Sequence, residues 1–254
     1  MIKISVAIIT FNEEDNILRC LNSVAPIADE IVVVDSFSTD RTPQICQEFG
    51  VKFVQNHFKG HIEQKNFALD QCQYDHVLSL DADEALSSEL TQSIDSVKKN
   101  WRGPGYSFNR LTNYVGHWVR HCGWYPDTKL RLVEKKRASW VGVNPHDILK
   151  LQQGSEQFIA GDLLHYSYKS ITAHINQTNR FTTIAAKEAH ARGVRSSQFK
   201  IASRPVLKFL RDYIWKRGFL DGRYGLIICT INALSAFLKY SKIKELEAQK
   251  SIEA

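Results

Sequence analysis

Three clusters of polar residues follow apolar runs in the first third of the chain: Thr10-Phe11-Asn12-Glu13-Glu14, Asp35-Ser36 and Asp81-Ala82-Asp83-Glu84. An Asp-x-Asp behind a strand holds two carboxylates within reach of one hard cation, and such a cation can also bridge phosphate oxygens. The same tripeptide also caps helices and closes turns, so by itself it leaves both readings open. The first cluster has no Gly-x-Gly-x-x-Gly and no Gly-Lys-Ser/Thr, which removes the dinucleotide fingerprint and the P-loop. A nucleotide bound here is held in another way.

The elements that must position these residues alternate in a regular order. Ile4 to Ile9 is a buried strand, and Ile17, Leu18, Leu21 and Val24 then recur at helical spacing behind a candidate cap at Asn12. Ile31 to Val34 is a second strand, followed by a Ser/Thr/Asp-rich turn and a short helix with Pro43 near its start and Gly50 past its end. Val51 to Gln55 is a third strand, His61 to Cys72 a helix, Val77 to Leu80 a fourth strand, and Ser87 caps a helix with Leu90, Ile94 and Val97 on one face. Four such units predict an α/β fold with a mostly parallel sheet covered on both faces. In such a sheet ligands bind at the carboxyl ends of the strands, where all three clusters sit. From Tyr106 to about Lys150 short strands between Gly, Pro and Trp turns predict antiparallel additions. After His165 the chain is helical, over about Ile171 to Arg192, Pro205 to Arg217 and Tyr224 to Tyr240, which predicts a domain over 1–168 and a helical region over 169–254.

A chain of 254 residues that is 43% hydrophobic and 24% charged can bury a full core, which excludes disordered and fibrous classes. The net charge of +6 is unevenly spread: twelve Lys/Arg and two Asp lie between Arg192 and Lys244, leaving the rest mildly acidic. Five scattered cysteines without a Cys-x-x-Cys argue against a disulfide framework or zinc site and fit a reducing cytosol. The N-terminus lacks the length and cleavage site of a signal peptide, and the longest apolar stretch, Leu226 to Leu238, is too short to span a bilayer unaided.

Taken in order, Ser5 to Glu14, Val32 to Thr42, Gln64-Lys65-Asn66-Phe67-Ala68 and Leu78 to Glu84 resemble the motifs of glycosyltransferase family 2. Gly123-Trp124-Tyr125-Pro126-Asp127-Thr128-Lys129-Leu130-Arg131-Leu132 and Pro145-His146-Asp147 resemble its bacterial lipopolysaccharide-core β-glucosyltransferase branch, and the likeness runs on into Asp221-Gly222-Arg223-Tyr224-Gly225. That branch usually has His-Glu where this chain has His146-Asp147. The resemblance implies the GT-A fold and an inverting, metal-dependent hexosyltransferase, with glucose from UDP-glucose passing to a lipopolysaccharide-core or similar glycolipid.

The resemblance also implies roles. Asp35 would accept from the uracil N–H, Asn12 and the Glu13-Glu14 turn would lie beside the nucleoside, and Lys65 would help hold the nucleotide. Asp81 would contact the ribose or the metal shell, Asp83 would bind Mg²⁺ or Mn²⁺, and Asp147 would take the acceptor's proton. His146 positions Asp147 or satisfies a loop. His165 is a third metal ligand or a structural histidine; Trp118, Trp124 and Tyr125 stack on a sugar or pack; Arg131 faces the diphosphate or lies exposed on a strand. Two rivals remain: transfer to a polyprenyl phosphate, and a non-catalytic membrane-bound scaffold that keeps the nucleotide-sugar pocket.

On a helical wheel from Pro205 to Gly218, Arg204, Lys208, Arg211 and Asp212 lie opposite Val206, Phe209, Leu210 and Tyr213. With the apolar helix behind it, this predicts a peripheral protein on the cytoplasmic face of the inner membrane. No nucleic-acid module accompanies the charge, so nucleic acid is not an expected partner.

Overall fold

The apolar run after Lys3 becomes β1 (Ile4–Thr10), buried along almost its whole length. In the computed structural model, which describes residues 1–143 and 146–252, β1 pairs in parallel with β2 (Glu30–Asp35) on one side and β4 (His76–Asp81) on the other, and β3 (Lys52–Gln55) continues beyond β2. Strands buried on both faces need no polar alternation, which is why these segments read as continuous apolar runs. Ile4, Val6 and Ile8 pack on one face with α1 (Ile17–Val24) and α4 (Ser88–Lys99). Ala7, Val32 and Val34 pack on the other with α3 (His61–Gln71).

Several local signals act as read. α2 (Thr42–Phe49) begins beside Pro43 and ends at Gly50, whose φ of 79° is the left-handed cap that glycine tolerates best. Ser87 Oγ accepts from Leu90 N at 3.2 Å and starts α4. Asn12, by contrast, caps nothing: α1 starts at Ile17, because residues 12–14 are bonded across to the next loop.

The sheet changes sense at β4. β8 (Thr128–Glu134) pairs with it antiparallel, followed by β6 (Gly105–Tyr114), β11 (Gln157–Tyr168) and β5 (Glu84–Leu86). β9 (Ala138–Val143) and β10 (His146–Leu151) form a separate antiparallel pair.

The chain divides into two compact units, one of Met1–Leu111 and Asp127–Tyr166, the other of Thr112–Pro126 and the chain from Ser167 on. In the second, β7 (His117–Val119) pairs with the end of β6, and α5 (Ile171–Ala191), α6 (Gln198–Leu210) and α7 (Gly222–Ile252) pack together. A π-helical turn (Arg211–Trp215) and a 3-10 turn (Gly218–Asp221) join α6 to α7. α6 starts seven residues before Pro205, at a Ser197 cap, so Pro205 lies inside the helix rather than at its start. Tyr114, Val119, Cys122, Ile228 and Cys229 form this unit's core, with Trp124, Tyr168, Phe209 and Tyr213 against it. All five cysteines are free and buried.

Candidate active site at the carboxyl ends of β1, β2 and β4

The loops after β1 and β2 are stitched together. Asn12 Oδ1 accepts from Thr39 N at 2.8 Å, and Asn12 N donates to Ser38 Oγ at 2.8 Å. Glu14 Oε2 accepts from Arg41 N and Glu14 N donates to Asp40 Oδ2, each at 3.0 Å. Asn12 sits at φ 52°, a conformation its short polar side chain tolerates. Asn12 and Glu14 therefore stand at the expected strand end, with their side chains spent on holding the neighbouring loop.

Asp35 is fully buried. Its carboxylate accepts from Ser38 N at 2.9 Å, from the Ser38 hydroxyl, and from Gln55 Nε2 at 3.2 Å. Beside it Phe37, at φ 63° and 42% exposed, stacks on His57 with ring centroids 4.3 Å apart. Sequence reasoning passed over this aromatic pair, although a phenylalanine in a Ser/Asp-rich turn was a signal for it.

The strongest charge cluster forms around Asp81. Lys65, buried on α3, puts Nζ 3.0 Å from Asp81 Oδ1 and 2.8 Å from Asp147 Oδ2, with the Trp140 ring centroid 4.2 Å away. Arg131, also buried, lies 3.7 Å from Asp81 and 3.2 Å from Glu84, with Trp140 on its other flank at 4.9 Å. Glu84 in turn accepts from Asp81 N at 3.0 Å. Burial by itself would raise the Asp81 carboxyl, but the Lys65 and Arg131 charges outweigh it and hold the group well below the ordinary carboxylate range. Arg131 is thus an internal counter-charge rather than an exposed strand arginine.

Each residue of the Gln64-Lys65-Asn66 run has its own task. Gln64 Nε2 donates to Ser36 Oγ at 3.1 Å, while Asn66 exchanges two 2.9 Å bonds with the Trp140 backbone. That clamp fixes β9 over α3. Because β10 pairs with β9, with Asp147 opposite Gly142, the clamp also carries Asp147 to Lys65. Asn66, Trp140 and Glu84 are the residues that sequence reasoning left without a role. Asn66 and Glu84 lay within recognised motifs, whereas Trp140 gave only its type as a signal. Pro145 and the His146 side chain lie outside the described residues.

Asp83 faces a different partner. β5 and β11 pair so that His165 stands opposite Glu84, and His165 Nε2 comes 3.2 Å from Asp83 Oδ2 while its Nδ1 is buried without a hydrogen bond. Among the described residues no three His, Cys, Asp or Glu side chains converge as a complete metal site. A small divalent cation that keeps most of its shell for phosphate oxygens and water needs only one or two protein ligands, so Asp83 with His165 fits one. Asp81 does not fit in this arrangement, because its oxygens already face two cations.

Trp124 belongs to the second unit. Its ring stacks on Tyr168 at 5.3 Å and meets Tyr114 and His174 edge-on, so in this unit it packs. The Asp221-Gly222-Arg223-Tyr224-Gly225 run has a structural reason there. Asp221 accepts from His121 N at 2.8 Å and His121 Nδ1 lies at 3.1 Å, while a Cβ on Gly225 would stand 1.8 Å from Gly218 O.

Residues 5–136 match the profile of Glycosyl transferase family 2. A protein of Rickettsia typhi described as an uncharacterized glycosyltransferase is 34% identical over 97% of this chain and 88% of its own length. The lipopolysaccharide core biosynthesis glycosyltransferase LpsC of Rhizobium meliloti is 27% identical over 98% of this chain and 94% of its own. Among solved structures, S. aureus TarS residues 1–349 with UDP align over 98% of this chain and 92% of that one, at 14% identity and a TM-score of 0.44. With carboxylates and cations gathered at the carboxyl ends of its parallel strands, the chain is a glycosyltransferase and belongs to glycosyltransferase family 2.

Proposed function

We propose that this glycosyltransferase moves a hexose from a nucleoside diphosphate sugar, with UDP-glucose as the donor placed first, to a sugar hydroxyl of a lipopolysaccharide-core or similar glycolipid, with inversion. The observation that carries the reading is the line Asp81, Lys65, Asp147: one ammonium joins the strand-end carboxylate Asp81 to a carboxylate from the β9–β10 hairpin. The name of LpsC supports the acceptor class.

In this reading Asp147 accepts the proton of the acceptor hydroxyl as that oxygen bonds to the anomeric carbon. The carbon–oxygen bond to the diphosphate breaks on the opposite face, its electron pair leaves with the diphosphate, and the configuration inverts. Lys65 sets the timing. The ammonium lies 2.8 Å from Asp147 Oδ2, and a donor diphosphate that draws it away leaves that oxygen free to face the acceptor hydroxyl. Arg131 keeps positive charge beside Asp81 throughout. Asp83 and His165 would hold a Mg²⁺ or Mn²⁺ ion, which supplies charge to neutralise the departing diphosphate.

Calorimetric titration with UDP-, GDP- and dTDP-sugars, with Mg²⁺ or Mn²⁺ and then with EDTA, tests the donor. Metal-dependent binding of one UDP-hexose is expected, and no binding by any of them overturns the reading. Asp147→Asn is expected to keep donor binding and lose transfer; transfer retained in that variant removes Asp147 as the base.

A further inference from the structure

Seven Lys/Arg and two Asp lie between Gln198 and Arg223. Both acids are buried: Asp212 is held by Lys208, Arg211 and Asn232, and Asp221 by the loop that carries His121. Every charge that this stretch shows to solvent is therefore positive.

Its large apolar residues are turned outward as well. Val206, Leu210 and Ile214 recur every fourth residue along α6 and the π-helical turn and are 57%, 38% and 54% exposed. Phe199 at the start of α6 and Trp215 at the turn are 78% and 76% exposed, and Phe219 follows at 48%. The wheel expected Val206, Phe209, Leu210 and Tyr213 on one side. The structure splits that side, packing Phe209 and Tyr213 into the core around Tyr114 and leaving Val206 and Leu210 outside. An unburied apolar stripe rimmed by basic side chains is the pattern of an element that lies in the plane of a lipid interface.

We propose that this face, with Trp215 and Phe219 at its corner, docks on an anionic phospholipid bilayer, its apolar stripe at the level of the acyl boundary and its basic residues on the head groups. Charge selects this occupant over a second copy of the chain, which would bring a like-charged surface to the same face. The basic rim ties the proposal to α6 and its turn, lying in the interface, rather than to the long helix behind them, which keeps Leu226 and Phe237 exposed and whose crossing is an outcome of the test. The structure corrects the expectation that the apolar stretch is too short to span: among the described residues one helical stretch, Gly218–Gln249, is long and apolar enough, because the helix runs on well past Leu226 and Leu238 at both ends. Within its own unit it buries Ile228, Cys229, Ile231 and Ile243, and Lys242 Nζ donates to Asn179 O at 2.8 Å and to the Thr182 and Thr183 hydroxyls of α5 at 2.9 and 2.7 Å.

The test is co-sedimentation of the full chain with vesicles of phosphatidylethanolamine and phosphatidylglycerol, against vesicles of phosphatidylcholine alone. Partition is read rather than turnover, so failure here is distinguishable from failure of the donor reading. Binding to the anionic vesicles that weakens with salt is expected. Ile214→Ser with Trp215→Ser, and separately Lys200→Glu with Arg204→Glu, are each expected to weaken it about tenfold, with the circular dichroism unchanged. Wild-type protein that stays in solution, or sediments equally with phosphatidylcholine, overturns the proposal. So does a concentration-dependent dimer that the same substitutions abolish, which gives the face to a second copy. Resistance to alkaline carbonate extraction overturns it by making the long helix a span.

Discussion

Lys65 holds its ammonium between carboxylates that come from β4 and β10, 16 and 82 residues away along the chain. Removing it leaves Asp81 and Asp147 facing each other in a half-buried place without their shared counter-charge, the costly way to break a buried pair. Lys65→Met is expected to lower unfolding free energy by about 3 kcal/mol in a urea titration and to weaken donor binding. Asp81→Asn in the same background should recover part of the lost stability, because one of the two repelling charges is gone. Among the described residues the ion-pair partner of the Asp83 carboxylate is His165 rather than a lysine or arginine. Asp83→Ala is therefore expected to abolish the metal dependence of donor binding while leaving the urea midpoint near wild type. A midpoint that falls as far as that of Lys65→Met would assign Asp83 a structural rather than a metal-holding role.

Gly161 shows how an element sets the site. It lies on β11 at φ 100°, and a Cβ there would stand 2.3 Å from Leu90 N at the first turn of α4. β11 is also the strand that brings His165 to Asp83. Alanine at 161 must push β11 away from α4 and adopt a strained backbone, so Gly161→Ala is expected to cost more than about 2 kcal/mol and to lower the melting temperature. A melting temperature unchanged in the variant would show that the two elements can separate freely. The β9–β10 pair is held to α3 by Asn66 and Trp140. Asp147 is thus placed by a clamp from a different element rather than by its own hairpin alone.

For the molecule as a whole, one group buried neutral makes stability depend on pH. His174 of α5 is buried beside the Tyr114 hydroxyl at 3.1 Å, and desolvation lowers its pKa to about 4. The unfolded chain takes up a proton on this side chain near pH 6.5, about where a free imidazole titrates. The folded state resists that proton, so the stability from His174 is complete above that pH and is lost as pH falls toward 4. Unfolding free energy measured between those limits is expected to drop with acid, and His174→Gln to flatten the drop; an unaltered slope would place the acid sensitivity elsewhere.

The sequence alone determined the order of the elements and the motifs on them. Apolar runs long enough only for buried strands, alternating with helical spacing, specify a parallel sheet, and polar residues just past those runs must emerge at one edge. Asp35, Asp81 and Asp83 stand there, and residues 5–136 carry the family's signature. Only the tertiary structure decided which charges meet. Lys65 and Asp147, or Asp83 and His165, are about eighty residues apart in sequence, and no local pattern encodes a contact made by a clamp between α3 and β9 or by the pairing of β5 with β11. It also decided that Asn12 and Glu14 bond to a loop, and that Asp81 faces cations rather than an open coordination position. Partner choice among charged side chains depends on distances of a few ångströms and on burial, both set by the packing of distant elements, whereas the residue pattern fixes only the edge of the sheet at which those side chains emerge.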